Sequence, residues 1–312
     1  MRALITGIGG QDGHYLSKHL LGLGYQVFGG SRRSSHGVLP AGVEAVSMEL
    51  LEYESIRRAI GKIAPDEIYN LGAQSHVGES FESPVYTADV NHLGVARLLE
   101  SIRGTRIRLY QASTSEMFGG GTGLTETSPF APRSPYAVAK LAAHSLCGVY
   151  RKAHGVRVSC GILFNHESPL RSKDFVTRKI CYHVARGLPF TLGNIQARRD
   201  WGHAADYVKA MHLMLQHEPD DFVIATGESH SVAEFLSAAS EFTENLPIPR
   251  YSVASDMRPW DVDELSGDAS KARERLGWVP EYDFAALVKE MMASDLRAAG
   301  WAESVELARH VA

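Results

Sequence analysis

The chain has 312 residues, 44% of them hydrophobic and 22% charged, with 29 glycines and 13 prolines, a composition that excludes a disordered, fibrous or low-complexity protein. Lys and Arg number 32 against 36 Asp and Glu, for a net charge of -4; no dense basic run is present, so nucleic acid is not expected as a partner. No apolar stretch reaches the roughly 18 residues of a membrane span, Cys147, Cys160 and Cys181 lack paired or CxxC spacing, and the chain enters a strand-like run at once in place of a leader, so a soluble protein of the reducing cytoplasm is the expectation.

Strand-like runs at 3–6, 26–29, 45–48, 67–71, 108–113 and 157–163 alternate with helix-length amphipathic stretches. Such βαβ units require parallel strands with right-handed helical crossovers, which gives an α/β fold, a Rossmann-like doubly wound sheet with ligands at the carboxyl ends of its strands. After Phe164 the rhythm loosens, and a strand-like run at 222–226 returns to the sheet. The expected division is a dinucleotide-binding domain of 1–165 plus about 198–227, and a smaller, split C-terminal substrate domain of about 166–197 plus 228–312. The latter carries helix-like 232–243 and 284–298.

The first strand runs into Thr6-Gly7-Ile8-Gly9-Gly10-Gln11-Asp12-Gly13 and then a helix-like stretch at 14–23. Gly7, Gly10 and Gly13 form a GxxGxxG turn, which permits close backbone approach while the helix start offers amide N–H groups and a partial positive charge to a pyrophosphate. The second strand is followed by Arg32, Arg33, Ser34 and Ser35. Two guanidinium groups and two hydroxyls, with no carboxylate among them, suit the 2′-phosphate of NADP better than the free ribose of NAD. The plainer reading of that segment is an exposed basic turn.

Ser134-Pro135 starts a helix and places Tyr136 and Lys140 at i and i+4 on one face. Lowering a phenol pKa from about 10 to about 7 takes roughly 4 kcal/mol, about what one charge supplies at 4 Å in an effective dielectric near 20. Lys140 together with an oxidised nicotinamide is therefore expected to make Tyr136 a base. Alone, a YxxxK pair is usually a coincidence of helix spacing. Its force comes from the run Tyr110-Gln111-Ala112-Ser113-Thr114-Ser115-Glu116, which delivers hydroxyls and one carboxylate to the same strand-end crevice.

In this order the glycine turn, the Ser/Thr-rich strand end and the YxxxK pair resemble the extended short-chain dehydrogenase/reductase superfamily acting on nucleotide sugars. Segments 69–77, 111–116, 132–136, 161–169, 175–180 and 199–203 make nearly the whole chain similar to the GDP-mannose 4,6-dehydratase family. The resemblance implies oxidation at C4 of GDP-mannose, elimination of water across C5 and C6, and return of the hydride to C6, with tightly bound NADP recycled. It assigns the oxidation to Tyr136 and Lys140, hydrogen bonding near O4 to Thr114, and removal of the C5 proton with protonation of the leaving C6 hydroxyl to Glu116. Leu71, Gly72, Ala73, Gln74, Ser75, Tyr86, Lys140, His166 and Arg171 match cofactor positions. Ser75, Asn165, Val176, Lys179, Arg199 and Arg258 match positions around GDP. His76 and His203 are read as structural, and no metal is expected.

The chain departs from the family at Met48-Glu49-Leu50, where relatives carry Asp-Leu at the adenine, and at Asp261, where they carry Glu at the nucleotide ribose. The segment after Ser35 is short and lacks an arginine-bearing stretch that in the family reaches a neighbouring subunit, and 244–257 is truncated. A homo-oligomer is expected, a dimer more than a tetramer. These changes leave room for a 4,6-dehydratase of a related GDP-sugar such as GDP-manno-heptose. The cofactor loop with Tyr136 and Lys140 would also suit a GDP-sugar epimerase or reductase, with Glu116 as the discriminating residue because a simple 4-epimerase needs no carboxylate for C5 deprotonation, and the fold alone would suit an NADP-binding sensor without chemistry.

Overall fold

The computed structural model describes residues 1–31, 39–243, 250–253, 260 and 262–301. Arg32, Arg33, Ser34, Ser35, Arg258 and Asp261 lie outside the described residues.

The chain begins β1 (Arg2–Thr6), α1 (Gln11–Gly22), β2 (Gln26–Ser31), β3 (Glu44–Ser47), α2 (Tyr53–Ile63) and β4 (Glu67–Asn70). Next come α3 (Val77–Glu82), α4 (Pro84–Ala88), a π-helical turn (Asp89–Leu93), α5 (Gly94–Ile102), β5 (Arg108–Thr114), a 3-10 turn (Ser115–Phe118) and β6 (Gly121–Leu124). The middle of the chain forms α6 (Pro135–His154), β7 (Arg157–Leu163), β8 (Asn165–Glu167), α7 (Val176–Val184), β9 (Phe190–Leu192), β10 (Arg198–Arg199) and β11 (Trp201–His203). The rest is α8 (Ala204–Gln216), β12 (Asp221–Ile224), β13 (His230–Ser231), α9 (Val232–Glu241), β14 (Tyr251–Val253), β15 (Glu264–Gly267), α10 (Ser270–Leu276) and α11 (Phe284–Ala298).

Seven parallel strands lie in the order β12-β7-β5-β4-β1-β2-β3, a doubly wound sheet. Its central strands are buried on both faces, so they read as nearly continuous apolar runs. Leu16 and Leu20 of α1 pack with Met211 and Met214 of α8 in one core; Ile56, Leu98, Leu99 and Ala143 belong to another, from α2, α5 and α6. The register sets Thr6 beside Asn70, Asn70 beside Gln111 and Thr114 beside Leu163. The carboxyl ends of β1, β4, β5 and β7 thus form one shelf.

A further core is built from Ile180 of α7, Phe235 of α9, and Leu287 and Met291 of α11. Asp295 of α11, 1% exposed, is paired with both Arg178 and Arg186, which locks α7 to α11. The chain crosses between the two parts more often than its linear order suggests. β10 pairs with β13 and β15, and β6 joins the same small sheet through β15. Ala272, Leu276 and Trp278 pack into the core beneath α1 and α8, where Trp278 Nε1 donates to the Asp206 carbonyl at 2.8 Å.

The first helix begins at Gln11 rather than at 14 because Gly10 takes the extended N-cap conformation and its carbonyl accepts from His14 N at 3.1 Å. The last helix among the described residues runs over Phe284–Ala298, capped by Asp283, whose Oδ1 accepts from Ala286 N at 2.8 Å.

Candidate active site

The turn after β1 is cramped enough to exclude side chains. Gly7 has φ +69°, and a Cβ there would lie 2.8 Å from Gly72 N; at Gly13 it would lie 2.6 Å from the Ile8 carbonyl oxygen. Gly10, the N-cap, has no side chain to cap the first amides of α1. A backbone cradle at a helix N-terminus with no side-chain cap fits a pyrophosphate.

From that turn a buried polar chain crosses the strand ends. Thr6 Oγ1 accepts from Gly72 N at 2.9 Å and donates to Asn70 Oδ1 at 2.6 Å; Asn70 Nδ2 donates to Gln111 Oε1 at 2.8 Å, and Gln111 Nε2 to the Ala112 carbonyl at 2.8 Å. The same carbonyl accepts from Lys140 Nζ at 2.5 Å. Asn91, in the π-helical turn, accepts from Gln74 N at 2.9 Å and donates to the Gln74 carbonyl at 2.8 Å, which fixes the loop carrying Leu71, Gly72, Ala73, Gln74 and Ser75. Sequence spacing does not mark Asn91, because its partner lies on another element.

Ser134 caps α6 by accepting from Ala137 N at 3.1 Å, with Pro135 at the first helical position. Tyr136 and Lys140 follow, both buried. Thr114 closes β5 and caps the 3-10 turn, its Oγ1 accepting from Glu116 N at 3.3 Å. The expected lowering of the Tyr136 phenol joins Lys140 to an oxidised nicotinamide; the protein's own groups bias the phenol the other way. Burial pushes Tyr136 up to about 12; the Thr114 hydrogen bond works against this and the Glu116 charge adds to it. Burial also brings the Lys140 ammonium down to about 8. Desolvation of the phenol is the contribution that a helix-face argument leaves out.

Across the cleft, His166 Nε2 lies 2.9 Å from Asp12 Oδ2 in the first turn of α1. Gln11 Nε2 donates to the His166 carbonyl at 3.0 Å and Gln11 Oε1 accepts from Ser168 Oγ at 2.7 Å. Arg171 pairs with Glu167 at 3.2 Å and stacks over the Phe175 ring at 3.6 Å.

These elements enclose a cleft of about 410 Å³. Asp12, Leu71, Ala73, Ser75, Thr114, Glu116, Tyr136, Lys140, Asn165, His166, Arg171, Val176, Lys179 and Arg199 all line it. Gly7, Gly10, Gln11, Gly13, Gly72 and Gln74 are not among its walls but frame the turn and loop behind them. Leu50 lies near Gly72, its Cδ1 3.1 Å from where a Cβ would stand there, while the Glu49 carboxylate faces Leu51 N at 3.4 Å. Tyr86 is 41% exposed on α4 and is not a wall of this cleft. Sequence reasoning missed Phe175, Thr191, Asn194 and Trp201 as walls; it read His76, also a wall, as structural, and the residue does cap α3, accepting from Glu79 N at 3.1 Å.

Among the described residues, His144, Cys160 and Asp221 place ligand atoms within 4.8 Å of one another. Arg151 already holds Asp221 at 2.5 Å, so a dication there would meet a guanidinium. No helix among the described residues is long and apolar enough to cross a membrane.

A glycine cradle at the first crossover, a hydroxyl-rich β5 end and a Tyr–Lys helix facing one cleft define the short-chain dehydrogenase/reductase class. The family model for GDP-mannose 4,6 dehydratase matches residues 4–291, and the chain belongs to the GDP-mannose 4,6-dehydratase family. It is 50% identical to GDP-mannose 4,6 dehydratase 2 of Arabidopsis thaliana, over 95% of this chain and 87% of that one. It is 45% identical to the Vibrio cholerae GDP-mannose 4,6-dehydratase, over 95% and 94%, and 43% identical to the human one, over 94% and 91%. Among solved structures it is similar to Thermus thermophilus UDP-glucose 4-epimerase in complex with NAD, with TM-score 0.88 and 27% identity over 96% of this chain and all of that one.

Proposed function

We propose that this protein dehydrates GDP-mannose to GDP-4-keto-6-deoxymannose, with Tyr136, Lys140, Thr114 and Glu116 as its reacting groups and NADP as its recycled cofactor. The observation that carries the reading is the presence of the Glu116 carboxylate in the same cleft as Tyr136 and Lys140. A simple 4-epimerase has no need of a base for the C5 proton; a 4,6-dehydratase does.

When bound, the nicotinamide supplies a site that accepts and later returns one hydride. The protein's own groups do the rest. Gly7, Gly10, Gln11, Asp12 and Gly13 hold the pyrophosphate, with Leu71 to Ser75, His166, Arg171 and Lys140 along the nicotinamide half and Glu49 with Leu50 near the adenine. Tyr136 Oη takes the proton of the C4 hydroxyl as C4 is oxidised, and Thr114 orients that hydroxyl. The resulting ketone acidifies the C5 proton, which the Glu116 carboxylate removes; Glu116 then protonates the departing C6 hydroxyl, so that one water leaves, and as the hydride returns to C6 one proton is taken up at C5, balancing the one Tyr136 Oη took from the C4 hydroxyl. Ser75, Asn165, Val176, Lys179 and Arg199 hold the GDP, as the cationic groups suit a diphosphate.

Arg32 and Arg33 favour NADP over NAD, and Arg258 and Asp261 complete the nucleotide subsite. The part formed by 1–165 with about 198–227 takes the dinucleotide, and 166–197 with 228–312 takes the sugar nucleotide, in the cytoplasm. A dimer is favoured by an exposed apolar face: Val85 is 82% exposed on α4, and Val138 and Val149 are each 54% exposed on the adjoining α6. Val138→Glu should yield a monomer by sedimentation.

The test is to incubate the protein with GDP-mannose and substoichiometric NADP while following product mass and cofactor absorbance. A product lighter by one water without accumulating NADPH is expected; an unchanged mass refutes the dehydratase reading. Tighter binding of NAD than of NADP would refute the cofactor assignment.

A further inference from the structure

Two consecutive residues of β5 are tied to α6, one helical turn apart, and the next one, Thr114, shares the cleft wall with Tyr136. The Ala112 carbonyl accepts from Lys140 Nζ at 2.5 Å, and Ser113 Oγ lies 3.0 Å from His144 Nδ1. Tyr136, Lys140 and His144 recur at i, i+4 and i+8, so they form one stripe on the helix. The first two are walls of the cleft; His144 is not.

His144 is instead the point where several elements meet. Its ring stands edge-on to Phe130 at 5.5 Å, and its Nε2 faces Asp221 Oδ2 of β12 at 3.8 Å. Arg151, further along α6, holds Asp221 at 2.5 Å and donates to the Val158 carbonyl of β7 at 2.8 Å. Cys160 of β7 closes the group. With Nε2 turned to a carboxylate, Nδ1 is the nitrogen left to bond Ser113, and the 3.0 Å contact is the short one. Removing it would free α6 to rotate or slide against the strand that carries Thr114.

We propose that His144 is a positioning residue for the oxidation step: through Ser113 it sets the rotation and depth of α6 against β5, and so the approach of Tyr136 to Thr114. The inference rests on Tyr136 acting as the base in C4 oxidation. A displacement of the order of an ångström at a reacting group costs up to about 10²-fold in rate, and a partial loosening on the order of tenfold.

The experiment compares His144→Leu, His144→Asn, Ser113→Ala, the Leu/Ala double variant and Tyr136→Phe in steady-state turnover of GDP-mannose, with cofactor affinity measured separately. His144→Leu and Ser113→Ala should each lower kcat about tenfold while leaving KM and cofactor affinity within about twofold. His144→Asn, whose amide reaches the Nδ1 position, should recover most of the loss. The double variant should be no worse than either single one, because both cut the same tie. Wild-type kcat in Ser113→Ala, no recovery in His144→Asn, or multiplied losses in the double variant would overturn the proposal. Should His144→Leu fail to fold, Ser113→Ala and His144→Asn decide. A fully active Tyr136→Phe would instead overturn the assignment of the base, and so separates the two failures.

Discussion

His166 sets Nδ1 2.8 Å from the Phe164 carbonyl oxygen and Nε2 2.9 Å from Asp12 Oδ2. Both partners are oxygen acceptors, which favours the imidazolium form of the ring, stacked on Tyr207 at 4.6 Å. Burial opposes charge on each partner, but their mutual attraction prevails: Asp12 is held below the usual carboxylate range and His166 is raised above 6.5. The pair joins the first turn of α1, where the phosphate turn ends, to β8.

The pair gives folding stability a definite pH signature. The His166 contribution is present below its unfolded value of about 6.5 and is lost as pH rises through its raised folded value; the Asp12 contribution is present above about 3.8 and is lost as pH falls through its lowered one. Urea midpoints should therefore fall as pH is raised from about 6.5 through the raised value, and Asp12→Asn should flatten that fall. An identical slope in the variant would show the two groups to be uncoupled.

Thr114 is the larger of two groups that restrain the rise of Tyr136, the Arg171 charge being the other. A hydrogen bond worth about 1 kcal/mol corresponds to somewhat less than one pKa unit. Thr114→Val should thus move the acid limb of the kcat/KM profile toward higher pH by up to about one unit, since the proposed base, Tyr136, works in its deprotonated form. The pH-rate profile of the variant is the check, and an unmoved limb counts against a direct Thr114–Tyr136 contact.

Glu116→Gln keeps the shape of the side chain and removes its ability to take a proton. Nucleotide affinity should stay near wild type, C4 oxidation should still proceed, and loss of water should slow by about 10² or more. Reduced cofactor would then build up in the presence of GDP-mannose while the sugar nucleotide does not lose water. Normal turnover would remove Glu116 from the elimination.

Gly13→Ala puts a Cβ 2.6 Å from the Ile8 carbonyl. Backbone cannot yield as a side chain tip can, so a stability loss of about 1–3 kcal/mol is expected, together with weaker cofactor binding. Denaturant melts and titration with NADP measure the two effects, and a variant as stable as wild type would contradict the contact.

Asp295 is the shared buried partner of Arg178 and Arg186. Asp295→Ala strands two cations between α7 and α11, and breaking such a buried pair costs about 3–5 kcal/mol. The loss should appear in equilibrium unfolding, and a change under about 1 kcal/mol would class the pair with exposed ones.

What could be read from the sequence was set by neighbours in the chain. Strand alternation, the glycine turn after β1, the Ser134–Pro135 helix start and the placement of Tyr136 and Lys140 on one helix face follow from covalent geometry and fixed helical or strand repeats, so the sheet and the position of the proposed reacting groups were both legible. The partnerships of Asp12 with His166, Asn91 with Gln74 and Ser113 with His144 join residues on different elements, and no local spacing encodes them. The same holds for the Tyr136 phenol: its i+4 lysine was visible, but its rise to about 12 comes from burial by the assembled cleft. The sequence alone determined which groups stand on which element, whereas desolvation and cross-element hydrogen bonding, which exist only once the chain has packed, decided how those groups are charged and held.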